Sequence, residues 1–252
     1  MKLSLSNLAW DIPDNDQILS ILNINNVSNV EGVLSKIDDW DKLTNEVLLE
    51  YKKKLDFYNI KMESIQSIFY NVKCDGINDT EIVYKHIDRL IEICKILGVN
   101  VMVFGSPNMR KGIIDDSLSK IFKRIDESLN NTNITLVIEP NSKVYNGDYF
   151  HNIKEIVDFI ENNKFINIKT MIDTHNLELE GYDPIIELKK YYDYISHIHI
   201  SEVKLTPIIN PEKHIKLSNE LKKIGYDKII TYEVLKCDNI ESEIKKFVEI
   251  YN

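Results

Sequence analysis

The stretch Ser196-His197-Ile198-His199-Ile200-Ser201-Glu202 sets two imidazoles inside what otherwise reads as a buried β-strand. Successive strand side chains face opposite sides, so His197 and His199 share one face while Ile198 and Ile200 share the other. Both histidines point the same way. The question they raise is whether three other apolar runs, ending in Glu139, Asp173 and Glu233, bring carboxylates to the same place.

Working outward, short β-branched runs near 2–7, 28–33, 61–68, 99–105, 134–139, 167–173, 195–201 and 228–234 read as strands. Segments of helical period near 14–23, 44–58, 79–97, 114–130, 151–163, 183–193, 211–224 and 239–250 alternate with them. Strict βα alternation forces parallel strands with helical crossovers. Eight such units in 252 residues predict an α/β protein built as one closed (β/α)8 TIM barrel spanning 1–252. No Gly/Ser/Pro-rich linker divides the chain. Punctuation supports two helices: Gly98 as the stop of 79–97, and Asn210 as cap, Pro211 at the first position and Gly225 as the close of 211–224. His86 and His214 fall within helices and are expected to be structural, since the helical flank of a barrel is far from its catalytic mouth.

The formal charge of −9, from 40 acidic and 31 basic residues, argues against a nucleic-acid binder, which normally presents a basic face. Cys74, Cys94 and Cys237 are far apart and without CxxC spacing, so neither a disulfide framework nor a thiolate zinc site is expected. The N-terminal MKLSLSNLAWDIPDN turns acidic by residue 11 and lacks the apolar core of a secretory signal, and no run is long enough to cross a bilayer. The expected setting is cytoplasmic, with no membrane partner. Self-association into a homo-oligomer is left open.

Barrel chemistry sits at the C-terminal ends of strands. There Glu139 ends the fifth strand before Pro140, Asp173 the sixth, and Glu233 shares parity with Thr231 and Ile229 on the eighth. Burying a carboxylate among β-branched residues costs several kcal/mol unless a cation or a donor compensates. Three carboxylates on strands five, six and eight, with His199 on strand seven between them, are explained by a shared divalent cation; a structural polar network is the alternative. The donor set is hard and oxygen-rich, favouring Mn2+, Mg2+ or Co2+, with Zn2+ also allowed.

Across nearly its whole length the sequence resembles the sugar phosphate isomerase/epimerase family of xylose isomerase-like barrels. The matching pieces, in order, are Asn7-Leu8-Ala9-Trp10-Asp11, Val30-Glu31 with Ser35-Lys36-Ile37, Ser64-Ile65-Gln66-Ser67, and Phe104-Gly105-Ser106-Pro107 with Arg110. They continue with Ile138-Glu139-Pro140-Asn141, Asp173-Thr174-His175-Asn176, the His197–Glu202 run and Tyr232-Glu233. The resemblance implies that Glu139, Asp173, His199 and Glu233 bind one divalent ion, and that Glu139 and Glu233 double as acid/base groups on opposite faces of a sugar. It implies α-proton abstraction beside a carbonyl and an enediolate; returning the proton to the other face epimerises, and returning it to the adjacent carbon isomerises. Members often carry a histidine three residues after the strand-six Asp. Here that position is Asn176 and the histidine is His175, so either residue is a candidate for a substrate hydroxyl. Lys204 is the one basic candidate just beyond the strand-seven motif.

Further candidates for substrate contact are Trp10, whose indole could stack on a sugar or plug the barrel mouth, and Gln66, a neutral donor–acceptor at a strand end. Arg110 could bind a phosphate or anchor its loop. Glu202 could reach a hydroxyl or lie in solvent. Glu31 is expected to pair with Lys36, or else to face the pocket. His197 is expected either to orient a ligand or to be a core histidine satisfied by a neighbouring strand. The expected activity is a metal-dependent isomerase or epimerase of carbohydrate metabolism acting on a small sugar or sugar phosphate. An inosose-type dehydratase or hydroxypyruvate-type isomerase on the same metal site is the alternative. An apurinic endonuclease or a non-catalytic sugar-binding barrel is less favoured.

Overall fold

In the structure, a computed structural model that describes residues 1–112 and 116–252, eight strands close into a barrel in sequence order. They are β1 Lys2–Ser6, β2 Asn29–Val33, β3 Lys61–Gln66, β4 Val101–Phe104, β5 Thr135–Ile138, β6 Ile168–Asp173, β7 Ile195–Ile200 and β8 Ile229–Tyr232. Every adjacent pair is parallel, including β8 with β1. The described helices are α1 Asn15–Ile24, α2 Asn45–Phe57, α3 Thr80–Leu97, α4 Asp116–Leu129, α5 Ile153–Asn163, α6 Thr174–Leu179, α7 Pro184–Lys190, α8 Pro211–Lys223 and α9 Ile240–Tyr251. No described helix is long and apolar enough to cross a membrane.

Strand parity divides the core. Outward residues such as Leu136, Ile138, Ile172, Ile198, Ile200 and Ile230 join the large cluster shared with the helices. A separate inner cluster holds Val101, Val103, Val137 and Met171. Continuing that inner parity toward the C-terminal ends gives Gly105, Glu139 and Asp173. On the other strands most buried inward positions are polar, namely Ser4, Ser6, Glu31, Ser64, Gln66, His197, His199 and Thr231, with Val33 and Ile229 apolar at the strand ends. The barrel interior is therefore apolar beneath β4–β6 and polar beneath β7, β8 and β1–β3, which concentrates the ionisable groups of the site against one wall.

Helix boundaries follow local chemistry, with three departures from the sequence reading. Gly98 closes α3 in the left-handed region at φ 85°, its N–H donating to Cys94 O, a conformation that strains other residues. Pro211 opens α8 as expected, but Asn210 makes no side-chain cap bond. The single helix expected at 183–193 is α7 followed by a 3-10 turn at Tyr192–Tyr194, because the Tyr191 N–H reaches Glu187 O and the chain then tightens toward β7. The short α6 directly after β6 was not expected; Asp173 itself caps it, Oδ1 accepting from Asn176 N at 2.6 Å. The helix expected at 114–130 is seen from Asp116, its first two positions lying outside the described residues.

Candidate active site

At the C-terminal end of the barrel, Glu139, Asp173, His199 and Glu233 offer ligand atoms within 4.8 Å of one another, and all four residues are buried. The strands position them in register. Asp173 pairs with His199 across β6 and β7, Glu139 N–H donates to Phe104 O one residue past β5, and Glu233 N–H donates to Ile200 O one residue past β8. Imidazole Nδ1 of His199 faces Glu233 at 3.4 Å, Glu139 at 3.5 Å and Asp173 at 3.7 Å. Gly105 makes this crowding sterically feasible, since a Cβ there would lie 1.9 Å from Glu139 Oε2.

The back of the site is a carboxylate between two imidazoles. His199 Nε2 lies 2.7 Å from Glu31 Oε1 and His197 Nε2 lies 2.6 Å from Glu31 Oε2, all three side chains being fully buried. Burial alone would push the Glu31 carboxyl up, but the two imidazoles overcome it and hold the group far below the usual carboxylate range. An ionised Glu31 only accepts, so both Nε2 atoms carry hydrogen. The pairing of Glu31 with Lys36 expected from the sequence is not made; the Lys36 ammonium instead reaches Trp10 O at 3.0 Å and Asp11 at 3.2 Å. His197 also meets Thr231 Oγ1 at 3.3 Å.

These bonds fix the tautomer of His199 and leave its Nδ1 without a hydrogen-bond partner, although it is buried. A lone pair aimed at three carboxylates is repulsive unless a proton or a cation intervenes. The ionisation of the cluster shows the same deficit. Burial lowers the affinity of His199 for a proton, yet the carboxylates of Glu31 and Glu233 raise it well above the ordinary imidazole value. Burial, then the charges of Glu139 and Glu233, raises the Asp173 carboxyl well above its own. The donor set of three carboxylates and one neutral imidazole, arranged around an uncompensated negative field, fits a hard divalent cation.

Neighbouring groups brace the ligands. Ser201 Oγ lies 3.1 Å from both oxygens of Asp173, and Asn141 Nδ2 donates to Glu139 Oε2 at 3.2 Å. Thr174 and Ser201 exchange two hydrogen bonds, at 2.8 and 2.9 Å, which locks the end of β6 to the end of β7.

Residues 30–249 match the xylose isomerase-like TIM barrel family. The chain belongs to that family. No curated protein matches the sequence. Among solved structures, an AP endonuclease, family 2 from Brucella melitensis superposes with TM-score 0.78 at 15% identity, covering 100% of each chain. D-psicose 3-epimerase from Clostridium cellulolyticum H10, in complex with D-tagatose, gives 0.75 at 14% identity, covering 100% of this chain and 90% of that one. The probable 3-DHS dehydratase AsbF from Bacillus anthracis gives 0.70 at 13%, covering 99% and 98%. At these identities the likeness is one of fold.

A cavity of about 1030 Å³ opens onto this end of the xylose isomerase-like barrel, lined by Glu139, Asp173 and Glu233 together with Gln66, His175, Asn176 and Lys204. Gln66 Nε2 donates to Ser6 Oγ at 2.6 Å. Both candidates for the hydroxyl contact reach the cavity: Asn176 Oδ1 accepts from Ser142 N–H at 3.2 Å, and His175 Nε2 lies 3.4 Å from the Tyr145 hydroxyl. Three other candidates for substrate contact are directed elsewhere, two of them, Trp10 and Arg110, into the structural role that the sequence also allowed. Trp10 does not line the cavity; it is 2% exposed and its indole N–H donates to Asn15 Oδ1, so it plugs the barrel rim. Arg110 is wholly buried, stacks over Phe104 and donates to the carbonyls of Phe104 and Phe150, so its fork anchors loops and is not offered to a phosphate. Glu202 turns away to His214 at 3.0 Å and Lys213 at 2.9 Å, tying the loop after β7 to α8.

The sequence assigns no role to Asn141, Ser201 and Gly105, although each stands in a matching piece, and does not single out Tyr145. Asn141 stands two residues after Glu139 and Ser201 two after His199, so strand parity carried one step further reaches both. Tyr145 comes from a 3-10 turn in the loop after β5, where no periodicity applies.

Proposed function

We propose that this chain is a divalent-metal-dependent isomerase or epimerase of a small sugar, working by proton transfer at the carbon beside a carbonyl. The observation that carries the reading is the convergence of three carboxylates on the unpaired Nδ1 of His199 at the floor of an open cavity. Glu139, Asp173, His199 and Glu233 would hold the ion, which when bound polarises a carbonyl and its neighbouring hydroxyl. Glu139 and Glu233, from strands on different sides of the mouth, are the acid/base pair. One removes the α-proton, giving an enediolate; the other returns a proton to the opposite face, or to the adjacent carbon, for epimerisation or isomerisation respectively. Asp173, bonded to Ser201 and Asn176 N–H, is held as a ligand and is not free to shuttle protons. His175, Asn176 and Tyr145, which line the cavity, would bind substrate hydroxyls. The shared fold of D-psicose 3-epimerase supports this chemistry.

Dehydration is a second reading, supported by the Tyr145–His175 pair beside the carboxylates: after the same proton abstraction, a protonated donor there would release a β-hydroxyl as water. The experiment is metal analysis of the purified protein, followed by exchange of substrate α-protons with solvent deuterium across ketoses, aldoses and their phosphates. Bound divalent ion and exchange into at least one sugar are expected, and formation of an unsaturated product with release of water separates dehydration from isomerisation. Absence of ion in the wild type, or full exchange by both Glu139→Gln and Glu233→Gln, overturns the mechanism.

A further inference from the structure

The cavity is too large for the reaction proposed at its floor. Its volume of about 1030 Å³ lies at the top of the range that encloses a whole drug-sized ligand, roughly 300–1,000 Å³, whereas a monosaccharide is far smaller. The carboxylate end uses only part of the lining. The remainder is an arm between two loops, residues 67–79 after β3 and 105–112 after β4.

This arm is a built trough. The loops touch through Cys74 Sγ and Met109 Sδ at 3.6 Å, and Gly76 takes the left-handed φ of 63° at the turn that faces the carbonyls of Asn108 and Lys111. Ser67 and Asn71 both adopt left-handed φ, at 54° and 62°, and the Tyr70 N–H donates to Ser67 O at 2.8 Å. The result is to hold Tyr70 outward, 63% exposed, on the wall of the trough. Asn71, Asn78 and Asn108 supply carboxamides alongside it. A small adjoining hollow of about 70 Å³ runs on past Tyr70 and Asn71 to Trp40, itself 41% exposed.

Exposed aromatic faces flanked by carboxamides match a pyranose ring, whose C–H face is apolar and whose edge carries hydroxyls that both donate and accept. The charge of the arm does not suit a phosphate. Of the described lining, Lys111 and Lys204 are the lysines; Asp75 shares the arm with Lys111, and the three carboxylates at the cavity floor add negative potential. We infer that the arm is a second sugar subsite, and that the substrate is a glycosylated sugar: one ring reacts at the carboxylates while a second, neutral ring lies against Tyr70 and the carboxamides of Asn71 and Asn108. The inference rests on the proposed function for the identity of the reacting end only.

The test uses the metal-loaded protein, with fructose as the free ketose and lactulose, maltulose and isomaltulose as ketoses carrying a second ring. Binding is measured by calorimetry and α-proton exchange by deuterium incorporation. At least one glycosylated ketose is expected to bind about tenfold or more tighter than fructose, and Tyr70→Ala to remove most of that advantage while changing fructose binding less than about twofold. Tyr70 is exposed, so the variant is expected to fold; Asn108→Ala gives a second, independent reading. Equal binding of free and glycosylated ketoses, no binding of any glycosylated ketose, or equal losses for both classes in Tyr70→Ala overturns the subsite. Tyr70-dependent binding without any proton exchange keeps the subsite and overturns the proposed reaction. Full exchange on fructose that glycosylation abolishes does the reverse.

Discussion

Glu31 on β2 holds His199 on β7 from behind, carboxylate oxygen to Nε2 at 2.7 Å, so that the opposite nitrogen of the ring faces Glu139, Asp173 and Glu233. The same carboxylate holds His197 through its other oxygen. A glutamine at 31 keeps the size but presents one acceptor and one donor, so one of the two imidazoles must change tautomer. Glu31→Gln is expected to weaken divalent-ion affinity by about 10- to 100-fold, the usual cost of losing the partner that orients a ligand. Competition with a chelator measures it. An unchanged affinity would show that the Glu31 bond does not set the ring.

Gly105 on the loop after β4 gives a cleaner separation of site from fold. An added Cβ would meet the far end of the Glu139 side chain at 1.9 Å, with no backbone atom in the way. Gly105→Ala is therefore expected to displace Glu139 from the cluster while costing less than about 1 kcal/mol of stability. Proton exchange should fall sharply with little change in the urea midpoint. A large drop in the midpoint with normal exchange would mean that the loop, and not Glu139, yields.

The fold and the four clustered residues were legible because both follow from period and parity. All eight strands fall within the runs read from the sequence, and Glu139, Asp173, His199 and Glu233 share the inward parity that Val137, Met171, His197 and Thr231 begin. What parity cannot give is the direction of a side chain that leaves a loop. Trp10, Arg110 and Glu202 all stand beside strand ends, as substrate residues would, yet each is drawn away by a partner distant or local: Asn15, the Phe104 and Phe150 carbonyls, and His214 with Lys213. Glu31 shows the converse. Its nearest cation in sequence is Lys36, but the barrel closes β2 toward β7 across its interior and supplies two imidazoles instead.

Arg110 can be tested as an anchor. Two of its nitrogens donate to backbone carbonyls at the end of β4 and in the loop after β5, and its guanidinium plane packs over Phe104 at 5.0 Å. Arg110→Ala should cost about 3 kcal/mol in denaturant titration through the lost bonds and the cavity left behind. It should leave the ratio of activities on sugars and sugar phosphates unchanged. A selective loss on phosphorylated substrates would return Arg110 to the binding site.

Acid should weaken the fold through histidines remote from the cluster. Burial holds His86 and His214 below the ordinary imidazole value of 6.5. For a group whose folded pKa is depressed, stability is complete above the unfolded value and is lost as pH falls through the folded one. Their contribution should therefore begin to decline below about pH 6.5, where the unfolded chain takes up protons first. His86 lies against Trp40 and Phe69, so His86→Phe keeps the ring contacts and removes one titrating group. The slope of stability against pH between neutral and mildly acid conditions should flatten in that variant; an identical slope would assign acid sensitivity elsewhere.

Tyr145 offers a test of how the cavity floor meets its substrate. Its hydroxyl lies 3.4 Å from His175 Nε2, and burial, then the charges of Asp173, Glu139 and Glu233, pushes its ionisation above the ordinary phenol value. The phenol thus stays protonated and serves as a donor. It is not one of the clustered ligands, so Tyr145→Phe should bind the divalent ion as the wild type does. Loss of one neutral hydrogen bond to substrate is worth about 1 kcal/mol, and kcat/KM should fall roughly five- to tenfold. Asp173→Asn, by contrast, should lose the ion. If Tyr145→Phe also loses it, the phenol supports the ligand set and does not face the sugar.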